Sequence, residues 1–210
     1  RSYSPLRGRA LPGKRAHAIV GEGTPYYRFH PRTPERVARL LPNARLLVLL
    51  RDPVERAYSH YRLSMRLDRE TLSFDEALDA EERRLAGVSE RLRASAYAMS
   101  MAHQHRSYIA RGRYAEQLRA WLEHFDRAQL HITFTESLIA NPETEIAAIE
   151  TFLGIERGPR RELVQSNQGI DLGEMSPEAR GRLREAFAGP NRQLEALLGE
   201  SLPWPTHTQS

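Results

Sequence analysis

Apolar residues along the chain occur both in short runs and at helical spacing. The uninterrupted run at residues 46–50 predicts a strand covered on both faces by helices, as in a parallel sheet. Runs of the same length that include a polar residue, at residues 16–20 and 130–134, predict two further strands. Because strands alternate with helical patterns, the predicted fold class is α/β with a parallel sheet.

The remaining pattern predicts helices and the loops between them. A surface loop is predicted for residues 87–95, which are charged and weakly patterned. Ser73 and Ser176 are predicted to cap helices, and a Gly-Pro-Asn sequence at 189–191 is predicted to interrupt the last helix. Other helices are predicted at residues 33–41, from Pro53, at 97–109, at 112–125 and at 142–153.

The junction after the central strand combines helix-start signals with basic side chains. Arg51 closes the strand, Asp52 is a good N-cap, and Pro53 and Glu55 suit the first helical turn. Ser59 falls off the apolar face of this helix, which is formed by Val54, Ala57, Tyr58, Tyr61 and Met65. A guanidinium fork and a nearby hydroxyl form a plausible phosphate clamp.

The twelve-residue run LRDPVERAYSHY at positions 50–61 resembles the 3′-phosphate-binding motif of sulfotransferases that use 3′-phosphoadenosine 5′-phosphosulfate (PAPS). The resemblance is closest to the branch of heparan sulfate sulfotransferases and their bacterial relatives, and it covers about residues 16–204. It implies a three-layer fold like that of P-loop NTPases, with a central parallel sheet flanked by helices. It also implies that Arg51 and Ser59 hold the 3′-phosphate of PAPS, and that no metal is required.

Glu22 follows the first predicted strand, at the edge of the sheet where ligands of parallel sheets bind. A carboxylate there could take a proton from an acceptor hydroxyl or amine. In the family that this chain resembles, a Glu in a Glu-Lys-Ser/Thr-Pro context is that base. Here Gly23 stands where the Lys is often found. A solvated Glu before a turn is the alternative interpretation.

Two further groups of polar residues are weaker candidates. Asn167 could contact the adenosine of PAPS, although an Asn that forms a turn is an equally good interpretation. The Lys-Gly-Arg that relatives commonly carry in this loop is absent. His103 and His105 are predicted to be exposed rather than metal ligands, because positions i and i+2 of a helix point apart.

The N-terminal region lacks a feature that the resemblance predicts. Sulfotransferases carry an early strand, a Lys-x-Gly-Thr/Ser-Thr/Ser loop and a helix that bind the 5′-phosphosulfate. Residues 1–15 are instead predicted to be a basic arm or loop, and Lys14 is not followed by Thr or Ser. We therefore expect one sulfotransferase-like domain over residues 1–210, a fragment of a longer chain, with little or no activity by itself.

Composition indicates the charge of the expected ligand and the expected cellular location of the protein. The net charge of +4 and the pI near 9.7 favour anionic ligands. The chain has no cysteine, no signal peptide and no apolar run of the roughly 20 residues that span a membrane, and a cytoplasmic bacterial protein is expected. The arginines are scattered among acids rather than gathered on one face, which argues against nucleic acid as partner.

The leading functional hypothesis is transfer of a sulfuryl group from PAPS to a hydroxyl or amine of a saccharide, lipid or small metabolite. A P-loop nucleotide kinase is a second enzymatic possibility, although the chain has no Gly-x-x-x-x-Gly-Lys-Ser/Thr sequence. A non-catalytic, degenerate sulfotransferase fold that binds anions is the third. Preference for a nucleotide with a 3′-phosphate distinguishes the first hypothesis from the kinase.

Overall fold

The computed structural model describes residues 19–158 and 170–204. In chain order, the elements of these residues are α1 (Thr33–Leu40), β1 (Leu46–Leu50), α2 (Pro53–Arg66), α3 (Phe74–Leu85), α4 (Val88–Ala94), α5 (Met101–His105), α6 (Tyr114–Leu122), β2 (Leu130–Phe134), α7 (Thr135–Ala140), α8 (Pro142–Leu153) and α9 (Pro177–Leu198). Short 3₁₀ helices lie at Ala110–Gly112 and Arg127–Gln129.

The two described strands pair in parallel. Leu46 lies opposite Leu130 and Leu50 lies opposite Phe134, so both strands end at the same edge of the sheet. Helices α2 to α6 connect the two strands, as a parallel pair requires. The predicted parallel α/β arrangement is confirmed, and this edge is where such sheets bind ligands.

Local sequence signals correctly predict where several helices begin and end. The side chain of Ser73 caps α3 in a reciprocal capping box with Glu76, and Ser176 caps α9. Gly154 ends α8 with φ of +68°, a left-handed conformation that favours glycine. These signals are readable from sequence because each depends on residues only three or four positions apart.

Three apolar clusters hold the helices together. The first joins α2 to α9 and includes Ala57, Tyr61, Tyr108, Leu183 and Phe187. The second packs both strand ends against α6, α9 and Trp204, and the third surrounds Trp121, Phe125 and Leu130. Each large side chain buried in this way contributes about 1.5–3 kcal/mol to stability.

The sheet is less completely covered in the described residues than the sequence predicts. Leu47 and Leu49 are 47% and 50% exposed, so one face of β1 is open within residues 19–158 and 170–204. The strand predicted at residues 16–20 is wrong at Ile19 and Val20, which are exposed and lie in no strand. Neither residue pairs with β1 or β2, and residues 16–18 lie outside the described part of the chain.

The region between α3 and β2 differs from prediction in three places. Residues 88–94 form α4 rather than a loop, because Val88 and Leu92, four positions apart, are both buried. The helix predicted for 97–109 is limited to α5, and the helix predicted for 112–125 is limited to α6. A 3₁₀ turn at Ala110–Gly112 lies between these two shorter helices.

The predicted interruption of the last helix is also wrong. Helix α9 continues through Pro190 to Leu198. Leu183, Phe187 and Leu194 are buried along one side of the helix on both sides of the proline. This burial outweighs the roughly 3 kcal/mol that an interior proline costs.

Candidate functional site

The carboxyl end of β1 is fixed by three side chains from two helices, α6 and α7. The Tyr114 hydroxyl donates to the carbonyl of Arg51 over 2.8 Å, and the Thr135 hydroxyl donates to the carbonyl of Leu50 over 3.0 Å. The N–H of Asp52 donates to Oε1 of Glu136 over 2.9 Å. Arg51 is half-buried and therefore extends from a backbone position that neighbouring residues hold in place.

The N-terminus of α2 forms beside Arg51, as predicted. The side chain of Asp52 accepts a 2.8 Å hydrogen bond from the N–H of Val54, and Pro53 occupies the first turn. Burial raises the pKa of Asp52, and the hydrogen bond from Val54 partly offsets this rise. The positive end of the helix dipole therefore faces the same edge as Arg51.

Ser59 is half-buried on a side of α2 that two other segments contact. Glu55, one turn before Ser59, forms an ion pair with Arg180 of α9. Arg62, on the following turn, donates from Nε to the carbonyl of Ile170 over 2.6 Å. Ser59 lies roughly 9 Å along the helix axis from Pro53, at about 1.5 Å per residue.

Asn167 lies outside the described residues, but the residues that follow it are anchored to α2. The Tyr58 hydroxyl donates to the carbonyls of Leu172 and Gly173 over 3.4 and 3.2 Å. Together with the hydrogen bond from Arg62, these contacts attach residues 170–173 beside Ser59.

Glu22 is exposed and has a defined partner. The hydroxyl of Tyr27 donates a 2.6 Å hydrogen bond to Oε1 of Glu22. A Cβ added at Gly23 would meet no atom within 4 Å, so the position that lacks the expected Lys is open. The hydroxyl of Tyr27 thus restricts the carboxylate that the sequence identifies as a candidate base.

The loop that carries Glu22 is attached to α5 through His103. The Tyr26 hydroxyl lies 2.8 Å from Nδ1 of His103, and the Phe29 ring stacks on the His103 ring with centroids 4.1 Å apart. His103 is buried, so the prediction that it is exposed is wrong. Burial, together with Arg111 and His30, lowers the pKa of His103 to about 4.

Three arginines that sequence patterns did not identify lie close together behind this loop. They are Arg28, Arg56 of α2, and Arg111 of the first 3₁₀ helix. Burial lowers the pKa of Arg28 and Arg56, and burial together with the charges of those two lowers that of Arg111 to about 9. The sequence separates these residues by 28 and 55 positions, so no spacing rule brings them together.

A groove of about 860 Å³ lies between residues 28–34 and helices α3, α4 and α6. Arg28 lines it from the loop that follows Glu22, and Arg93 lines it from α4. Asp79 and Glu82 line it from α3, together with Gln117 of α6. This mixture of carboxylate, amide and guanidinium groups can hydrogen-bond a ligand that carries both hydroxyl and anionic groups.

The described part of the chain contains neither a metal-binding group of side chains nor a membrane-spanning helix. Residues 19–158 and 170–204 contain no group of three or more side chains arranged to hold a metal ion. Among the helices of these residues, none has the length and apolar content required to cross a membrane.

These features define a class of protein. It is an α/β protein whose parallel strands end beside a helix N-terminus and an arginine, a combination that binds anionic ligands. Comparison with known proteins then identifies the family. A model described as a sulfotransferase domain matches residues 31–168, and the chain belongs to this sulfotransferase family, as the motif at residues 50–61 predicts.

Known relatives support the same assignment. Heparan sulfate glucosamine 3-O-sulfotransferase 3B1 of Homo sapiens is 32% identical over 227 residues, which cover 96% of this chain and 53% of the relative. The membrane-associated sulfotransferase kil1 of Dictyostelium discoideum is 24% identical over 89% of this chain and 53% of its own length. The chain spans about half the length of these curated relatives.

A solved structure confirms the fold class. The crystal structure of a sulfotransferase from Alicyclobacillus acidocaldarius matches with a TM-score of 0.61 and 32% identity. The match covers 84% of this chain and 63% of that one. A parallel sheet flanked by helices, as predicted, is therefore the architecture that this chain shares with a sulfotransferase.

Proposed function

We propose that this chain is the part of a PAPS-dependent sulfotransferase that binds the 3′-phosphate of the donor through Arg51 and Ser59. The observation that carries the proposal is the placement of Arg51 at the carboxyl end of β1, directly before the helix that presents Ser59. Residues 170–173, anchored beside Ser59, border the same region. Asn167, three residues before this anchored segment, remains a candidate contact to the adenosine.

Glu22 acts as the base in the proposed reaction. Its carboxylate takes the proton of an acceptor hydroxyl while the hydroxyl oxygen forms a bond to sulfur. The bond between sulfur and the 5′-phosphate oxygen breaks, and adenosine 3′,5′-bisphosphate leaves. The hydrogen bond from Tyr27 keeps the Glu22 carboxylate in one orientation, which favours in-line transfer.

The proposed acceptor is a hydroxyl of a saccharide. Several of the matched relatives are named heparan sulfate glucosamine 3-O-sulfotransferases, and the groove beside Arg28 carries both carboxylate and guanidinium groups. A saccharide with hydroxyl and anionic substituents suits that lining. Little or no activity of the 210 residues by themselves, a cytoplasmic location and a bacterial source stay predictions.

The deciding experiment compares nucleotides by thermal shift and calorimetry. We expect adenosine 3′,5′-bisphosphate to bind at least about tenfold more tightly than 5′-AMP, because the extra phosphate gains charge-assisted hydrogen bonds worth roughly 1.5–3 kcal/mol. Arg51→Ala should remove this preference while leaving 5′-AMP binding nearly unchanged. Binding is measured rather than turnover, so the result does not depend on the activity of the chain.

Arg119→Ala is the matched control, because Arg119 is exposed on α6. This variant should keep the preference for the 3′-phosphate. Equal binding of both nucleotides by the unaltered protein would contradict the proposal and favour a nucleotide kinase. With the preference intact, sulfate transfer that is undetectable in the longer parent protein as well would instead favour a non-catalytic module.

A further inference from the structure

The cluster of Arg28, Arg56 and Arg111 has unmet hydrogen-bonding capacity. Nη1 of Arg28, Nε of Arg56 and Nε of Arg111 are all buried without a hydrogen-bond partner. Arg111 is 8% exposed, and its Nη2 donates to the carbonyl of Gln104 over 2.6 Å. Arg56 donates to the carbonyl of Tyr108. Each guanidinium therefore presents at least one N–H to the interior with nothing described to accept it.

Among the described residues, the charges close to the cluster do not balance it. Glu81 is the carboxylate that acts on both Arg56 and Arg111. Its oxygens already accept hydrogen bonds of 2.7–2.8 Å from the N–H groups of Tyr108, Ile109 and Ala110. Three positive charges, of which Arg111 is buried and Arg28 and Arg56 are half-buried, thus face one carboxylate that is engaged elsewhere. Such an arrangement is costly unless another anion is present.

The remaining segments of the given sequence are poor in acidic residues. Residues 1–18 and 205–210 contain no Asp or Glu, and residues 159–169 contain one, Glu162. An anion bound from solution would supply the missing negative charge.

The cluster lies between the two regions that the proposed reaction uses. The guanidinium of Arg28 lies 4.4 Å over the ring of Tyr114, whose hydroxyl is hydrogen-bonded to the carbonyl of Arg51. Arg28 also lines the 860 Å³ groove. An anion at the cluster would therefore sit beside both the strand edge that bears Arg51 and the groove.

We propose that Arg28, Arg56 and Arg111 form a binding site for a tetrahedral or planar oxyanion, of the sulfate or carboxylate class. Guanidinium groups suit such anions because their paired N–H donors match two oxygens at once. The site itself rests on the buried, unpartnered donors alone. The role of its oxyanion, as the sulfuryl group of the donor or an anionic group of the acceptor, rests on the proposed function.

The first test uses inorganic sulfate as the probe. Sodium sulfate is titrated into the protein at constant ionic strength, balanced with sodium chloride, and the melting temperature is recorded. Arg28→Gln should weaken the apparent affinity for sulfate about tenfold or more, since a hydrogen bond to a charged group is worth roughly 1.5–3 kcal/mol. Arg119→Gln, on the exposed face of α6, is the matched control and should leave the apparent affinity for sulfate unchanged.

A purely structural role for Arg28 gives a different result. If Arg28 only packs on Tyr114, Arg28→Gln lowers the melting temperature but leaves the sulfate-induced rise intact, and the proposal is overturned. Circular dichroism checks that the variant is folded. Should Arg28→Gln not fold, Arg28→Lys decides, because Lys lacks the planar fork and should weaken sulfate binding several-fold. An unchanged affinity in that variant also overturns the site.

The second test identifies the source of the oxyanion. The ratio of affinities for PAPS and adenosine 3′,5′-bisphosphate is measured in the unaltered protein and in Arg28→Gln, along with the affinity for a sulfated oligosaccharide. Loss of the preference for PAPS assigns the site to the sulfuryl group of the donor. Weaker oligosaccharide binding with that preference kept assigns it to the acceptor. If neither quantity changes, the site has no place in the reaction and this part of the proposal fails.

Failure of the oxyanion site and failure of the proposed function are distinguishable. Sulfate binding that depends on Arg28, without any preference for a 3′-phosphate, would retain the site and reject the proposed function. A 3′-phosphate preference that depends on Arg51, with sulfate binding that does not change in Arg28→Gln, would reject the site and retain the proposed function.

Discussion

Glu70, in the loop between α2 and α3, forms a bidentate ion pair with Arg84 of α3. Nη1 and Nη2 of Arg84 donate to the two carboxylate oxygens of Glu70 over 2.6 and 3.0 Å. The same carboxylate accepts from the Tyr108 hydroxyl and from the N–H groups of Thr71 and Leu72. The Glu70 side chain is fully buried, so one carboxylate connects the loop before α3 to the core.

Glu70→Gln should lower the free energy of unfolding by about 2–3 kcal/mol. The change leaves Arg84 without its ionic partner, and breaking a buried pair in this way is strongly destabilising. Chemical denaturation measures the loss. Arg182→Gln is the matched control, because Arg182 pairs with Asp75 and Asp79 at the surface and should change stability by less than about 1 kcal/mol. Equal losses of stability in Glu70→Gln and Arg182→Gln would show that burial does not strengthen the Glu70–Arg84 pair.

The Glu70 pair should also give stability a defined pH dependence. Burial raises the pKa of Glu70, but the hydrogen bonds from Arg84, the two backbone N–H groups and Tyr108 outweigh it and lower the pKa from 4.5 to about 2. A lowered carboxyl pKa contributes stability that is complete above the unfolded pKa and is lost as pH falls through the folded one. The stability difference between the unaltered protein and Glu70→Gln should therefore shrink between pH 4.5 and 2.

His103 should make the protein less stable in mild acid. Its pKa is about 4 in the fold, against an ordinary 6.5, because burial disfavours the charged ring. The unfolded chain therefore binds the extra proton first, and stability falls as pH drops from 6.5 to 4, by up to about 3 kcal/mol for this residue. His103→Phe keeps a ring to stack on Phe29 and should remove that part of the dependence.

Urea denaturation of His103→Phe at several pH values measures this effect. His105 also has its pKa lowered to about 4 and His60 has its pKa lowered well below 6.5, so a residual pH dependence is expected in the variant. His124→Gln serves as the control, because His124 is exposed. An unaltered pH profile in His103→Phe would show that protonation of this ring does not limit stability.

Ser59→Ala should weaken binding of adenosine 3′,5′-bisphosphate by about tenfold or more. The expected loss corresponds to one hydrogen bond between a hydroxyl and a charged phosphate. Affinity for 5′-AMP should stay the same, because that nucleotide lacks the 3′-phosphate. Calorimetry gives both values, and Ser95→Ala, at the exposed end of α4, is the control. Equal weakening of both nucleotides would place Ser59 elsewhere in the site.

The sequence predicted those features of the site that depend on neighbouring residues. Asp52 and Pro53 specify the start of α2, and the same twelve residues carry the family resemblance. The cluster of Arg28, Arg56 and Arg111 could not be predicted, because three distant segments bring its members together. The path of α9 through Pro190 was missed for a related reason, since burial on both sides of the proline is a tertiary effect.

The burial of His103 could not be predicted either. Its neighbours in sequence suggested an exposed helical pair with His105. In the fold, Tyr26 and Phe29, more than 70 positions earlier, cover the ring. Sequence spacing describes the helix that carries a residue, but a loop from elsewhere in the chain decides whether that residue is buried.

Gly112 lies between Pro53 of α2 and Phe187 of α9, and a methyl group there should be destabilising. A Cβ at Gly112 would lie 2.5 and 2.6 Å from two ring atoms of Phe187 and 3.1 Å from Cβ of Pro53. Gly112→Ala should therefore lower the free energy of unfolding by about 1–3 kcal/mol, as overpacking of a core does. It should also weaken nucleotide binding, since a shift of Pro53 moves the helix that presents Ser59.

Gly181→Ala is the matched comparison, because a Cβ at Gly181 in α9 meets no atom within 4 Å. Replacing a helical glycine by alanine at an open position should raise stability by roughly 0.5–1 kcal/mol. Chemical denaturation of both variants, with calorimetry of adenosine 3′,5′-bisphosphate, measures the two effects. Opposite signs of the stability change are expected. A neutral Gly112→Ala would mean that Phe187 moves aside without displacing α2, and the packing of α9 would then not determine the position of Ser59.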